Sequence, residues 1–500
     1  MSQKPKGSHS ALTVVLTVLI VLMLAATVFL VYLCIDLVNK EADVKPSQDS
    51  SLVLPTQPSQ PETTTVPETT VPPTTEAPEP EHVVATASIS TQGDLLMHKP
   101  VFASCQEGSG YDFTRIFKYS KDLISGYDYA IANLETTFGG DKYTYQGNPA
   151  FNCPDGLADG VKDTGYDMLL TVNNHAGDTM GDGMIRTIET VRAAGLASLG
   201  TQLPGEKRYS VVDINGIKVG MVAYSWAYGI SGNGFSLNGL AYIKDEGQAN
   251  YFSKQNPDKL YNELKPILEG MKEDGAEATM IFIHWGEEYE IKENAAEDKM
   301  AQKLCDLGFD VIIGGHPHVV QPMALLQSSE NPEHKTYCLY SLGNAVSNQR
   351  AGISDKFSRY TESGVLLSVT FEKYSDGKVY VAGIDAIPTW VNMHSKNGKR
   401  EYNILPLVKD KEEQWKTDFD LTDNELTAAQ DSYAKTMKVI GEGLTACKED
   451  LAQAKTDREA YYQNLAEHPE LATQAATQPV ATVPETTPET TPETTVAEAA

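Results

Sequence analysis

Between residues 84 and 408, short apolar runs rich in β-branched residues alternate with stretches of helical periodicity. No other feature of the chain limits its fold as much. Strand-like runs fall at Val83–Ile89, Tyr129–Ala132, Met168–Val172, Val211–Ile214, Val219–Tyr224, Thr279–Ile283, Val311–Ile313, Cys338–Tyr340, Val365–Thr370 and Val379–Ile387. Gly183–Ala194, Asp258–Glu273 and Glu297–Leu307 read as helices between them. Such alternation predicts an α/β domain with much parallel sheet. Asn215-Gly216 and Asp376-Gly377 have the chemistry of tight hairpin turns, so antiparallel edges are expected and the sheet is mixed.

Five of these runs end in residues suited to metals or phosphate. They are Gly93-Asp94-Leu95-Leu96-Met97-His98, Asn133-Leu134-Glu135, Asn173-Asn174-His175-Ala176-Gly177-Asp178, His284-Trp285-Gly286-Glu287-Glu288 and Gly314-Gly315-His316-Pro317-His318. Ligands of open α/β sheets bind outside the carboxyl ends of strands, so five such ends can converge on one site. In the last of them, glycines permit unusual backbone angles and Pro317 stiffens the loop. Two imidazoles one residue apart can then aim at one point.

The candidate ligands are Asp94, Glu135, Asn174, His284, His316 and His318. A mixed oxygen and nitrogen set suits divalent Mn, Fe or Zn better than Ca. Two ions about 3.5–4 Å apart could clamp a phosphoryl group and activate water, with Glu135 as the bridge. His175 would then protonate the leaving group. His98, Asn133, Asn173 and Glu288 are further pocket candidates. Any one of these side chains could be a polar group satisfied at a loop; the set of them by coincidence is far less probable.

The flanks differ from the domain. Ala11–Leu33 is apolar except for threonines, long enough to span a bilayer, and follows Lys4 and Lys6. Residues 11–38 are expected to form a retained signal anchor, with residues 1–10 cytoplasmic and the remainder outside the cell membrane. Lipidation at Cys34 fits less well, because the preceding Leu33 is large. Residues 39–82 and 471–500 are rich in Pro, Thr and Glu, a composition that cannot bury a core. Residues 83–408 are expected to fold as the globular domain. In 420–470, Thr422-Asp423-Asn424-Glu425 is a capping box. Leu426, Tyr433, Met437, Ile440, Leu444, Cys447 and Leu451 follow at helical spacings, predicting one long amphipathic helix or a hairpin of two, weakened at Gly441 and Gly443.

The formal net charge is −28, from 40 Lys plus Arg against 68 Asp plus Glu. This argues against a nucleic-acid partner, which needs a basic face. The six cysteines contain no CxxC pair, arguing against a zinc knuckle, and a Cys105–Cys153 bridge is left open.

Taken in order, Gly-Asp-x-x-x-His, Asn-Leu-Glu, Asn-Asn-His, His-Trp-Gly-x-Glu, Gly-His-x-His and Tyr340-Ser341-Leu342-Gly343-Asn344 resemble the CapA family of capsule synthesis proteins over about residues 84–390. That resemblance implies a calcineurin-like metallophosphatase fold, a two-sheet α/β sandwich. It also implies a role in making, exporting or anchoring poly-γ-glutamate, with polymer-synthesis and export membrane proteins and the anionic polymer as partners. By the same resemblance, Asp94 stands for the first metallophosphatase aspartate and Glu135 for the bridging one. Asn174 and His175 match the Asn-His step, His284 the lone histidine, and His316 and His318 the final pair. Two departures stand out: His98 follows Asp94 by four residues rather than two, and Glu135 replaces an aspartate, which leaves open a site of two ions, of one, or one that is lost. The resemblance gives Tyr340–Asn344 no chemical role; the segment is read as structural, with Asn344 near the pocket. A metal-dependent phosphoesterase and a non-catalytic envelope scaffold working through residues 420–470 are the rival readings.

Overall fold

The computed structural model describes residues 81–468 except 232–233, 240–242, 245 and 397. The expected cytoplasmic tail, anchor, linker and C-terminal tail lie outside the described residues. Among the described residues no helix is long and apolar enough to cross a membrane.

Two mixed sheets form the domain. The first contains β1 (Val83–Leu95), β2 (Tyr129–Asn133), β3 (Met168–Leu170) and β4 (Ala197–Leu199). The second contains β5 (Ser210–Ile214), β6 (Ile217–Trp226), β7 (Tyr251–Phe252), β8 (Ala278–His284), β9 (Val311–Gly315), β10 (Met323–Gln327) and β11 (Lys335–Leu339). The chain then returns to the first sheet with β12 (Asn344–Val346), β13 (Ser363–Tyr374), β14 (Val379–Lys396) and β15 (Lys399–Pro406). The strand orders are β15-β14-β13-β1-β2-β3-β4, with β12 also on β1, and β7-β6-β8-β9-β11-β10, with β5 on β6. β1 to β4 run parallel, as do β6, β8, β9 and β11. The turns at Asn215-Gly216 and Asp376-Gly377 close antiparallel pairs as expected.

Side-chain alternation explains the layers. Ile89, Ile131 and Met168 of the first sheet meet Met221, Met280, Phe282 and Ile313 of the second in a shared core. The opposite faces are covered by helices. Ala130, Ala132 and Leu169 pack on α1 (Gly156–Thr164) and α2 (Met180–Ala193). Val222, Ile281, Ile283 and Ile312 pack on α3 (Asp258–Glu273) and α4 (Ala295–Leu307). The result is an α/β sandwich with both faces of its parallel strands buried.

Residues Asp423–Glu467 form one continuous helix, α5, rather than a hairpin. Thr422 and Glu425 close the anticipated capping box. Its buried line is Ala429, Ser432, Thr436, Ile440, Leu444, Cys447 and Leu451; Leu426, Tyr433 and Met437 lie on its flanks. Gly443 leaves the helix unbroken and lets it approach β10: a Cβ there would stand 1.7 Å from the Met323 carbonyl oxygen. Cys105 and Cys153 are both buried free thiols, so the bridge left open by the sequence is not formed.

Candidate metal centre

The carboxyl ends of the parallel strands from both sheets meet at one seam. β1 continues well past its apolar run, because Leu95 stays paired to Val346, so Asp94 lies inside the strand rather than beyond it. Glu135 lies just past β2, Asn174 and His175 just past β3, and His284 is the last residue of β8. His316 and His318 follow β9. The unusual backbone of that loop is carried by the histidines and not by the glycines before them: His316 has φ 99° and His318 φ 57°. Such conformations in residues with a Cβ cost about 1–3 kcal/mol each and persist only where their surroundings enforce them. Trp285 N–H donates to Gly315 O at 3.0 Å and Tyr289 N–H to Pro317 O at 2.8 Å, which hold the loop.

The Tyr340–Asn344 segment ties the two halves of the site together. Leu342 N–H donates to Gly314 O in the second sheet, while Gly343 O accepts from Asp94 N–H in the first, both at 3.1 Å. Gly93 allows this approach, since a Cβ there would meet Gly343 O at 1.9 Å. Asn344 Nδ2 donates to His318 O at 3.2 Å and to Gln349 Oε1 at 2.9 Å. Asn344 therefore positions a ligand backbone.

Two clusters of ligand atoms result, each within 4.8 Å: Glu135 with His284 and His316, and Asp94 with Glu135 and His318. Glu135 belongs to both. Its Oε1 lies 3.6 Å from His284 Nε2 and 3.7 Å from His318 Nε2. His318 Nδ1 is 3.1 Å from Asp94 Oδ2, and Asn174 Oδ1 is 2.9 Å from His284 Nε2. Thus the structure brings all six candidate ligands together.

The electrostatics are those of ligands gathered away from water. Burial, reinforced by the Asp94 carboxylate, pushes the Glu135 carboxyl up to about 8. Burial would lower His318, but Glu135 and Asp94 outweigh it and raise the imidazole to about 9. Asp94 is itself lowered, because His318, His284 and an Asn133 hydrogen bond overcome its burial. Burial holds His284 at about 3 and His316 well below the ordinary histidine range, so both are neutral donors. Both Glu135 oxygens and His316 Nδ1 are buried without a hydrogen-bond partner. Buried polar groups are rarely left so, and Glu135 and His316 share a cluster of ligand atoms of the kind a cation would satisfy. The donor set therefore fits divalent metal.

Asn133 and Asn173 orient their neighbours. Asn133 Nδ2 donates to Asp94 Oδ1 at 2.7 Å, and Asn173 Nδ2 donates to Asn133 Oδ1 at 3.1 Å and to Leu134 O at 2.8 Å. His98 lies outside both clusters: it precedes the short helix Lys99–Ser104 and accepts from Asn348 N–H at 3.3 Å. Glu288 is exposed, beside Tyr289 at the rim.

His175 does not join the clusters either. Its Nδ1 is 2.8 Å from Asp178 Oδ2, and Asp178 also accepts from Phe151 N–H and from Asn238. Burial would depress His175, but the Asp178 carboxylate outweighs it and raises the imidazole above its ordinary value. The His-x-x-Asp spacing could have identified Asp178 in the sequence. Phe151 carries no such signal, although it packs edge-on against both His175 (4.6 Å) and His98 (5.2 Å).

Two curated relatives are similar to this chain. The "Capsule biosynthesis protein CapA" of Bacillus anthracis is 27% identical over 264 residues, 51% of this chain and 59% of that protein. The "PGA biosynthesis protein CapA" of Bacillus subtilis (strain 168) is 26% identical over 341 residues, 66% of this chain and 80% of that protein. The solved structure of TT1561 from Thermus thermophilus aligns over 56% of this chain and 93% of its own at 8% identity, with a TM-score of 0.28, too low to carry an argument. The model of the family "Bacterial capsule synthesis protein PGA_cap" matches residues 88–349, more than half of the chain, and that interval contains every candidate ligand from Asp94 to His318 and the Asn344 brace. The sequence with this metal-type seam thus belongs to the PGA_cap family of bacterial capsule synthesis proteins.

Proposed function

We propose that the chain is a membrane-anchored, extracytoplasmic CapA-type protein that handles an anionic capsule polymer of poly-γ-glutamate type at a centre built for two divalent cations. The observation that carries this reading is Glu135, buried, without hydrogen-bond donors, and shared by both ligand clusters. Asp94, Glu135 and His318 would hold one cation; Glu135, His284, His316 and the Asn174 carbonyl would hold the other. Bound there, divalent cations supply Lewis acidity and charge for carboxylate or phosphate oxygens. The chain's own groups do the rest. Asn133 fixes the Asp94 carboxylate, and Asn344 fixes the His318 backbone. Asp178 occupies His175 Nδ1, leaving Nε2 as the nitrogen to hold or deliver a proton at substrate. The span at residues 11–38 would anchor the domain to membrane partners of polymer synthesis or export.

A second reading, a metal-dependent phosphoesterase of the envelope, is favoured by the same His175–Asp178 pair, which suits a general acid. Metal content measured on the full chain purified without chelator tests both. About two transition metals per chain, lost in His316→Ala, are expected. No metal under any loading condition would refute the cation centre and both readings with it.

A further inference from the structure

The strongly acidic chain contains a groove whose lining is entirely neutral or basic. It has a volume of about 510 Å³ and lies between the Lys99–Ser104 helix and the start of β15, lined by Pro100, Ala103, Ser104, Gln106, Lys399 and Arg400. Acidic side chains on the flanking segments have cationic or imidazole neighbours of their own. Glu107 and Asp112 pair with Arg115, Glu401 with His394, and Asp420 with Lys396. Lys399 and Arg400 form no salt bridge among the described residues and are exposed. By contrast, two other large clefts mix both signs. One carries Glu277, Asp310 and Asp450 beside Lys335 and Arg458; another carries Glu293 and Glu442 beside Lys292 and Lys438.

A line of side-chain contacts runs from the basic groove to His175, beside the metal centre. Arg400 lies beside the Tyr402 hydroxyl, and Tyr402 is itself buried. That hydroxyl donates to Asn348 Oδ1 at 2.5 Å, and Asn348 N–H donates to His98 Nδ1 at 3.3 Å. Phe151 then bridges the His98 and His175 rings. Such a path accounts for His98, which the ligand clusters leave unused, and sets the groove on one flank of the site.

We propose that this groove is a carboxylate subsite, in which Lys399 and Arg400 hold one stretch of a polycarboxylate chain while a neighbouring stretch lies at the metal centre. Two adjacent cations suit successive free carboxylates along such a chain, whereas a nucleic acid would need a much broader basic face. The inference rests on the polymer-handling reading above and adds where the polymer lies.

Binding of fluorescein-labelled polyglutamate to the full chain in detergent tests it. Lys399→Gln/Arg400→Gln is compared with wild type and with a control in which the distant Lys411 and Lys455 become Gln. The expected result is roughly tenfold weaker binding, about 1.4 kcal/mol, and a shallower salt dependence in the groove variant alone. All four positions are exposed, so the fold is retained, and thermal melting verifies this. Equal binding by wild type and the groove variant, or equal losses in groove and control variants, overturns the groove while leaving polymer handling intact. Binding of poly(glycerol phosphate) but not polyglutamate, lost in the groove variant, overturns the polymer reading and the carboxylate assignment together.

Discussion

Replacing Glu135 by Gln should change the sign of its effect on stability when metal is added. In the metal-free chain the carboxylate is fully buried, its oxygens have no donor, and the Asp94 carboxylate stands close by. An uncompensated buried polar group costs about 1–3 kcal/mol, and more if charged. With its carboxyl at about 8, Glu135 is largely protonated at neutral pH in chelator, and Gln keeps the shape, stays neutral at every pH and offers an N–H toward Asp94. Glu135→Gln should therefore leave the chelated protein unchanged or more stable by about 1–3 kcal/mol. With metal the balance reverses. A cation at 100 times its Kd stabilises the fold by about 2.7 kcal/mol, and a 100-fold loss of affinity reduces that to about 0.4 kcal/mol. Even outer partners of metal ligands change affinity by about 10–100-fold, so a shared ligand should do at least as much. Urea unfolding of both proteins, in chelator and in excess Mn, reads the two signs. If Glu135→Gln destabilises the chelated protein by several kcal/mol and Mn shifts neither curve, Glu135 is a structural group and the cation argument fails.

Three further outcomes follow from the same geometry. If the metal-loaded chain hydrolyses a generic phosphodiester, His175→Ala should lower the rate by about 10²–10⁴, and Asp178→Asn should move the pH limb of His175 downward because its raising charge is gone; a rate indifferent to both would remove His175 from the chemistry. Ending the chain at residue 420 strips Ile440, Leu444, Cys447 and Leu451 from the shared core; at about 1.5–3 kcal/mol per side chain this rivals a typical total of about 5–15 kcal/mol, so the shortened chain should not fold, and a folded, cooperative melt would restore the scaffold reading in which that helix works independently. In chelator, Glu135 at about 8 and His318 at about 9 both lie above their unfolded values, so each contributes stability that is lost as pH rises; unfolding free energy should fall between about pH 6.5 and 9, and a flat profile there would contradict both shifts.

The sequence reveals much of the fold because its signals are local. β-Branched runs marked most long strands, and the Asn215-Gly216 turn has the φ values of 53° and 86° that its composition demands. Short strands such as Ala197–Leu199 and Asn344–Val346 escaped, since three residues carry no periodicity and pair only because longer neighbours are already in place. The six candidate ligands were legible because they cluster at or near strand ends and are of types seldom placed there idly. Gly443 was misread for the converse reason: its meaning lies in the Met323 carbonyl 120 residues away in sequence, which no local pattern contains. Asn344 was seen as a motif but not understood, because its role is to brace His318 rather than to bear chemistry.

That brace shows why the motifs had to be read together. Asp94 and Glu135 belong to one sheet, and His284, His316 and His318 to the other. Neither set alone offers a closed site, and the apolar core between the sheets gives their upper edges no polar partner. Leu342 and Gly343 fasten the edges by backbone hydrogen bonds, which fix distance but leave the Glu135 oxygens and His316 Nδ1 unsatisfied. A carboxylate facing neutral imidazoles across such a seam is poorly stabilised by protein alone, since His284 and His316 are too deeply buried to become cations. His318, the one imidazole of the three raised enough to carry charge, is shared between Asp94 and Glu135, so the seam is short of positive charge. Divalent cations would supply it, join the sheets through side chains as the Tyr340–Asn344 segment joins them through backbone, and give an acidic protein a positive point at which to hold an acidic polymer.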